Sequence, residues 1–219
     1  MDFETNKGSI ASIIDHTLLK ADAVKEEMDK LCKEANEHGF ASICIPPYYV
    51  AHCKNQLKDS PVNISTVVGF PLGFSSSFAK VEAIKRALSD GADEIDAVVN
   101  IAAVKDENWS FVRNEIQSFS RATHLKGKLI KIILEPSYYG KDQLAKLCDL
   151  INAEDVDFVK TCTGYNGEAT PEMVSQLRAL IKPEIKIKAS GGIDTKEKAI
   201  AFIKLGATRL GTSNGLNLI

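Results

Sequence analysis

Eight times along this chain a short apolar run gives way to a stretch whose apolar residues recur at helical spacing. That alternation limits the fold more than any single motif does. The runs occupy residues 13–19, 41–45, 64–68, 94–100, 129–134, 156–159, 185–189 and 208–211. Parallel strands need a crossover of roughly a dozen residues or more between them, usually a helix, and every interval here is long enough to hold one. Strands alternating with helices build a parallel sheet. Eight such units in 219 residues predict an α/β protein with a closed (β/α)8 TIM barrel. No linker, low-complexity segment or charge block interrupts the series, so residues 1–219 are expected to form a single barrel domain. An open, doubly wound sheet is the alternative. It calls for a glycine-rich turn after the first strand, whereas here such a turn follows the seventh and no GxGxxG follows any strand.

Local signals agree with the alternation. Val24, Met28, Leu31, Cys32 and Ala35 share one helical face that ends at Gly39. The third run ends in Gly69-Phe70-Pro71-Leu72-Gly73, and serines at 75–77 can cap a helix whose expected buried face is Val81, Ile84, Ala87 and Leu88. Thr170 can cap the helix that Pro171 opens. A formal charge of −2 gives no reason to expect nucleic acid or an anionic membrane surface as a partner. No apolar run approaches the roughly 18 residues of a membrane span. Met1-Asp2-Phe3-Glu4 is polar, with no apolar signal core behind it. Five cysteines, an odd number without CxxC spacing, read as free thiols in a reducing compartment rather than disulfides or a zinc site. A cytoplasmic protein without a metal is expected.

In a barrel of this kind the chemistry sits at the C-terminal ends of the strands. Asp15, Cys44, Asp96, Lys131, Glu135, Lys160 and Lys188 are the polar or reactive residues that lie in the apolar runs or directly after them. Three lysines and three carboxylates are costly to bury without a purpose. Lys160 directly follows its run and Lys188 lies in the next one. An unperturbed lysine has a pKa near 10.4, so only about one molecule in 2,500 is a neutral amine at pH 7. Only the neutral amine attacks a carbonyl to form a Schiff base. A second ammonium nearby disfavours the charged form, and Asp96 is placed to carry the protons that such chemistry moves. A structural Lys–Asp network across the barrel accounts for the same residues, and the two readings stay open on composition alone. Lys186 falls at the bottom rim and takes no role.

Ser190-Gly191-Gly192 after the seventh run and Gly211-Thr212-Ser213-Asn214-Gly215 after the eighth fall in the two loops that often form a phosphate site in this fold. Glycines let backbone N–H groups approach an anion. Each stretch alone could be a plain tight turn.

The chain resembles the 2-deoxyribose-5-phosphate aldolases, which are class I aldolases on a (β/α)8 barrel. The likeness rests on Ile14-Asp15-His16-Thr17-Leu18-Leu19, Val68-Gly69-Phe70-Pro71-Leu72-Gly73, Asp93-Glu94-Ile95-Asp96, Phe158-Val159-Lys160-Thr161-Cys162-Thr163-Gly164 and Lys188-Ala189-Ser190-Gly191-Gly192-Ile193. It implies Lys160 as the Schiff-base lysine, Lys188 as the lysine that perturbs it and Asp96 as proton donor and acceptor. Asp15 and Cys44 would line the site, and Gly191, Gly192, Ser213 and Asn214 would hold a phosphate. No cofactor is implied. The partners are a phosphosugar and an aldehyde, and self-association into a homo-oligomer is left open. Three positions depart from the family pattern. Asp194 stands where a base is common, the sixth loop Tyr165-Asn166-Gly167-Glu168 lacks a cation, and Asn214 replaces a common serine. Asp194 and the cation-poor loop leave open an aldolase for a different or unphosphorylated aldehyde, and a sugar-phosphate binder without catalysis is the alternative of another class.

Overall fold

Each apolar run becomes a strand, and in this computed structural model, which describes residues 10–219, the eight strands close on one another. The polar start at Met1 to Glu4 lies outside the described residues. The strands are β1 (Ile14–Thr17), β2 (Ser42–Ile45), β3 (Asn63–Val68), β4 (Glu94–Val98), β5 (Leu129–Ile133), β6 (Phe158–Lys160), β7 (Lys186–Ser190) and β8 (Arg209–Thr212). All neighbours are parallel, and β8 pairs back onto β1. The helices are α1 (Lys25–His38), α2 (Val50–Gln56), α3 (Ser77–Ser89), α4 (Ile101–Lys105), α5 (Trp109–His124), α6 (Lys141–Ala153), α7 (Pro171–Leu180) and α8 (Lys196–Lys204). Among the described residues no helix is long and apolar enough to cross a membrane.

The caps fall where the sequence places them. Ser76 accepts from the Ala79 N–H at 3.2 Å to start α3, and Thr170 accepts from Met173 N–H at 3.2 Å ahead of Pro171. Such a cap is worth about 1 kcal/mol. One helix differs from the expectation: the segment after β4 is two helices. Glu107 takes a left-handed φ of 55°, which ends α4, and Asn108 then restarts the chain by capping Phe111 N–H at 3.3 Å.

Side chains along a strand point alternately to its two faces. Ile43, Ile64, Ile95, Ile130, Ile132, Val159, Ile187 and Leu210 turn outward into an apolar shell shared with Met28, Ile84, Ile116, Phe119, Leu147 and Leu177 on the helices. Burial of one such side chain contributes roughly 1.5–3 kcal/mol, so the stabilising core lies between sheet and helices. The positions in between carry Asp15, Ser42, Ser65, Glu94, Asp96, Lys131, Lys160 and Lys188, all buried. Branched apolar residues usually fill that space; here it holds charge. Lys186, at the opposite rim, is exposed as expected.

Candidate active site

Strand register brings the charges together. Lys160 lies beside Lys188, Asp96 beside Lys131, and Asp15 between Ser42 and Gly211. Asp96 is the hub. Its Oδ2 accepts from Lys160 Nζ at 2.9 Å and Lys188 Nζ at 2.8 Å. Its Oδ1 accepts from Lys131 Nζ at 2.8 Å and the Ser65 hydroxyl at 3.1 Å. Lys188 also pairs with Asp15 Oδ2 at 2.5 Å, and Lys131 with Glu94 Oε2 at 2.5 Å. Arg209 closes the network from below, 2.6 Å from Asp15 Oδ1 and 3.2 Å from Glu94.

Four cations therefore face three carboxylates, and their contacts are unequal. Among the described residues Lys188 and Arg209 each pair with two carboxylates and Lys131 reaches three, while Lys160 pairs with Asp96 alone. Burial favours the neutral acid at Asp96, but Lys131, Lys160 and Lys188 outweigh it and hold the carboxyl well below its ordinary range. Asp15 is lowered in the same way, with burial opposed by Lys188, Arg209 and Lys131. Burial disfavours the Lys188 ammonium, yet Asp15 and Asp96 hold its pKa well above the ordinary value. Lys188 is thus a fixed positive charge and Asp96 a resting carboxylate. Asp96 Oδ2 is shared by the two lysines and stands between their ammonium groups.

Above this layer lies a cavity of about 360 Å³ lined by Lys160, Gly191, Gly192, Gly211, Ser213 and Asn214, among others. Lys160 is the member of the charged cluster that reaches it. Asp96, Lys188, Asp15 and Cys44 sit beneath, without exposed surface. The Cys44 thiol lies 3.9 Å from Asp96 Oδ2, and burial pushes its pKa up against the pull of Lys188. Gly191 and Gly192 adopt φ of 100° and 71°, a region that side chains resist. They line the same cavity as Ser213 and Asn214. Phe70 places its ring 6.0 Å from Lys160 Nζ and meets Tyr165 edge-on at 5.5 Å, which leaves an apolar wall beside the amine. Glu135 is buried too, but apart from the cluster: its Oε2 accepts from Thr163 N–H at 2.8 Å and fixes the β6–α7 loop.

Several residues of this arrangement escaped the sequence. Glu94 and Arg209 look like strand-edge charges until closure of the barrel joins β8 to β1 and faces them across the interior. Lys80, at a helix position next to the expected face of α3, is fully buried. It donates to Glu115 Oε1 and to the Val98 carbonyl, both at 2.9 Å. Val81 and Leu88, expected inside, are half-buried. A Cβ built on Gly69 would lie 3.1 Å from the Lys80 stem, so this ion pair supports the turn that carries Phe70.

A family model described as DeoC/LacD family aldolase matches residues 9–218. Over 217 residues the chain is 44% identical to the deoxyribose-phosphate aldolase of Thermococcus kodakarensis, covering 98% of this chain and 97% of the relative. It is 45% identical over 215 residues to the deoxyribose-phosphate aldolase of Caldicellulosiruptor saccharolyticus, covering 97% and 98%. A solved deoxyribose phosphate aldolase from Aeropyrum pernix, described as a tetramer, aligns with a TM-score of 0.91 at 30% identity, over 97% of this chain and 90% of that one.

Proposed function

This chain belongs to the DeoC/LacD family of aldolases, and on that premise we propose that it reversibly cleaves 2-deoxy-D-ribose 5-phosphate to D-glyceraldehyde 3-phosphate and acetaldehyde through a Schiff base on Lys160. The observation that carries the assignment of the nucleophile is that Lys160, alone in the charged cluster, lines the cavity and keeps a single carboxylate partner. Loss of its proton breaks one ion pair and leaves three cations against three carboxylates. The same loss at Lys188 would break two.

The neutral Lys160 amine adds to the C1 aldehyde of the open-chain sugar, and water leaves to give the iminium. Asp96 rests as a carboxylate, so its first move is to accept the amine proton at Oδ2, 2.9 Å away. Lys188 shares that oxygen and stabilises the anion whenever the proton moves on. The iminium withdraws electrons from C2. The C3 hydroxyl loses its proton, the C2–C3 bond breaks, and glyceraldehyde 3-phosphate departs. A two-carbon enamine stays on Lys160, takes a proton at carbon and is hydrolysed to acetaldehyde. The cluster's excess positive charge is already in place before reaction, as electrostatic preorganisation requires. Gly191, Gly192, Ser213 and Asn214 line the same cavity as Lys160, and we assign the phosphate to the end that they form. No step calls on a metal.

Five buried free cysteines suit the cytoplasmic location that we include in this proposal, and the tetrameric Aeropyrum pernix relative makes self-association the expectation to check by light scattering. Borohydride reduction of the protein in the presence of acetaldehyde tests the chemistry directly. One ethyl group on Lys160, seen by peptide mass spectrometry and missing in Lys160→Met, is the expected result. Trapping at another lysine, or none, rejects the mechanism.

A further inference from the structure

The end of the cavity assigned to the phosphate holds more acid than base. Glu168 folds over the β7 turn so closely that a Cβ built on Gly192 would fall 2.2 Å from Glu168 Oε2. The carboxylate therefore lies against the Gly192 backbone, and Ala169 N–H anchors the same loop to the Gly191 carbonyl at 3.1 Å. Asp194 lines the cavity as well. Lys160 is the one cation among the described residues that line it, and Lys160 is committed to Asp96. A phosphate monoester carries about −1.5 to −2 at pH 7, so two carboxylates at its seat would repel it.

One ammonium stands next to them. Lys198, in the first turn of α8, donates to the Gly192 carbonyl at 2.9 Å and pairs with Asp194 Oδ1 at 2.8 Å. The lysine and Asp194 are both about half exposed, and an exposed pair of this kind holds its partners weakly. The ammonium is thus tethered to the wall of the phosphate end and free to exchange one anion for another. We propose that Lys198 is the cation that reads the substrate phosphate in this chain, released by Asp194 as the phosphate arrives, and that Glu168 is the carboxylate the phosphate displaces from Gly192. The base expected at position 194 is then supplied from one helical turn further along. The role of Lys198 rests on the assignment of this end of the cavity to the phosphate, and the test separates the two.

The experiment compares kcat/KM for 2-deoxyribose 5-phosphate and for free 2-deoxyribose in the parent enzyme, Lys198→Gln and Glu168→Gln. Lys198→Gln is expected to lower the ratio of the two about tenfold, mainly through KM for the phosphorylated sugar, the scale of one charged hydrogen bond in a partly exposed place. Glu168→Gln is expected to raise the ratio several-fold. Inhibition by inorganic phosphate moves in parallel, weaker in Lys198→Gln and stronger in Glu168→Gln. Opposite signs for the two variants support the inference, since a merely structural role would move both the same way. An unchanged ratio in Lys198→Gln, or shifts of the same sign, overturns it. Equal efficiency of the parent on the two sugars overturns the phosphate assignment itself.

Discussion

Lys188→Met isolates the electrostatic part of the mechanism. The substitution takes one of four cations from the cluster and leaves three against three carboxylates before any proton moves. Lys160 and Lys188 both lie within 2.9 Å of Asp96 Oδ2, so their nitrogens are at most about 5.7 Å apart. At an effective dielectric of about 20 that repulsion is worth about 3 kcal/mol, or two pH units. Without it, proton loss from the cluster costs that much more. The acid limb of kcat/KM against pH is therefore expected to move up by about two pH units, with activity at pH 7 falling about a hundredfold. Lys188→Arg keeps the charge and changes the shape, so it should lose amplitude while its limb stays in place. The Met variant also leaves Asp15 and Asp96 short of a partner. Breaking a buried pair costs about 3–5 kcal/mol, and the contacts that remain from Arg209, Lys131 and Lys160 put the loss near the lower end. Calorimetry should show a Tm lower by about 6–12 °C, at roughly 2–4 °C per kcal/mol for a chain of this size. A Met profile that superimposes on the parent's after scaling, or an Arg profile that shifts with it, would refute the field argument.

Two further perturbations follow from buried charge. Lys80→Met takes the buried counter-charge from Glu115 behind the barrel, and is expected to cost about 3–5 kcal/mol in urea unfolding. It should also raise KM by loosening the turn that holds Phe70; a loss below about 1 kcal/mol would show that Lys80 is replaceable packing. The pH dependence of stability carries the sign of the carboxylates. Asp15 and Asp96 are held below their ordinary range in the folded chain, so the stability they confer is complete above the unfolded value near 3.9 and drains as pH falls further. Urea midpoints should be level with respect to these groups from pH 7 to about 5 and fall below about 4. Asp96→Asn should flatten that fall, and an equally steep acid limb in the variant would place the titrating groups elsewhere.

What could be read from the sequence follows from how conspicuous a residue is in its own segment. A lysine or aspartate inside an apolar run or directly at its end breaks a short-range pattern, and Lys160, Lys188 and Asp96 are visible for that reason. Strand ends were read to within a residue or two. Val156 opened the expected sixth run but precedes β6, whose last residue is Lys160. Lys160 is thus part of the ladder rather than a cap on it. Arg209 and Glu94 gave no such signal, because their partnership depends on β8 closing onto β1. Lys80 was hidden more completely: a lysine on an amphipathic helix reads as solvated, and Glu115 is 35 residues away on another helix. Periodicity reports which face a residue occupies, and it carries no information about a charge that finds its counter-charge across the fold.

The placement of the apolar core explains why this barrel can hold such a cluster. Ionised groups in an interior cost several kcal/mol each unless paired, and a barrel that depended on its interior for stability could not carry seven of them. Here the outward faces of the strands and the inward faces of the helices form a continuous apolar shell, which frees the space inside the sheet for charge. The pairing is nearly complete, and the one shortfall falls at Lys160, the cation with a single carboxylate partner and the one that opens to the cavity. In the proposed reaction this is the amine that attacks, so the cation with the fewest carboxylate partners and the proposed nucleophile are one residue. Removing a carboxylate in place of a cation should accordingly be worse for folding than for catalysis: Asp15→Asn raises the excess positive charge and leaves Lys188 and Arg209 a partner short while keeping the shape of the hydrogen-bonding site, so the free energy lost in urea unfolding should exceed that lost in kcat.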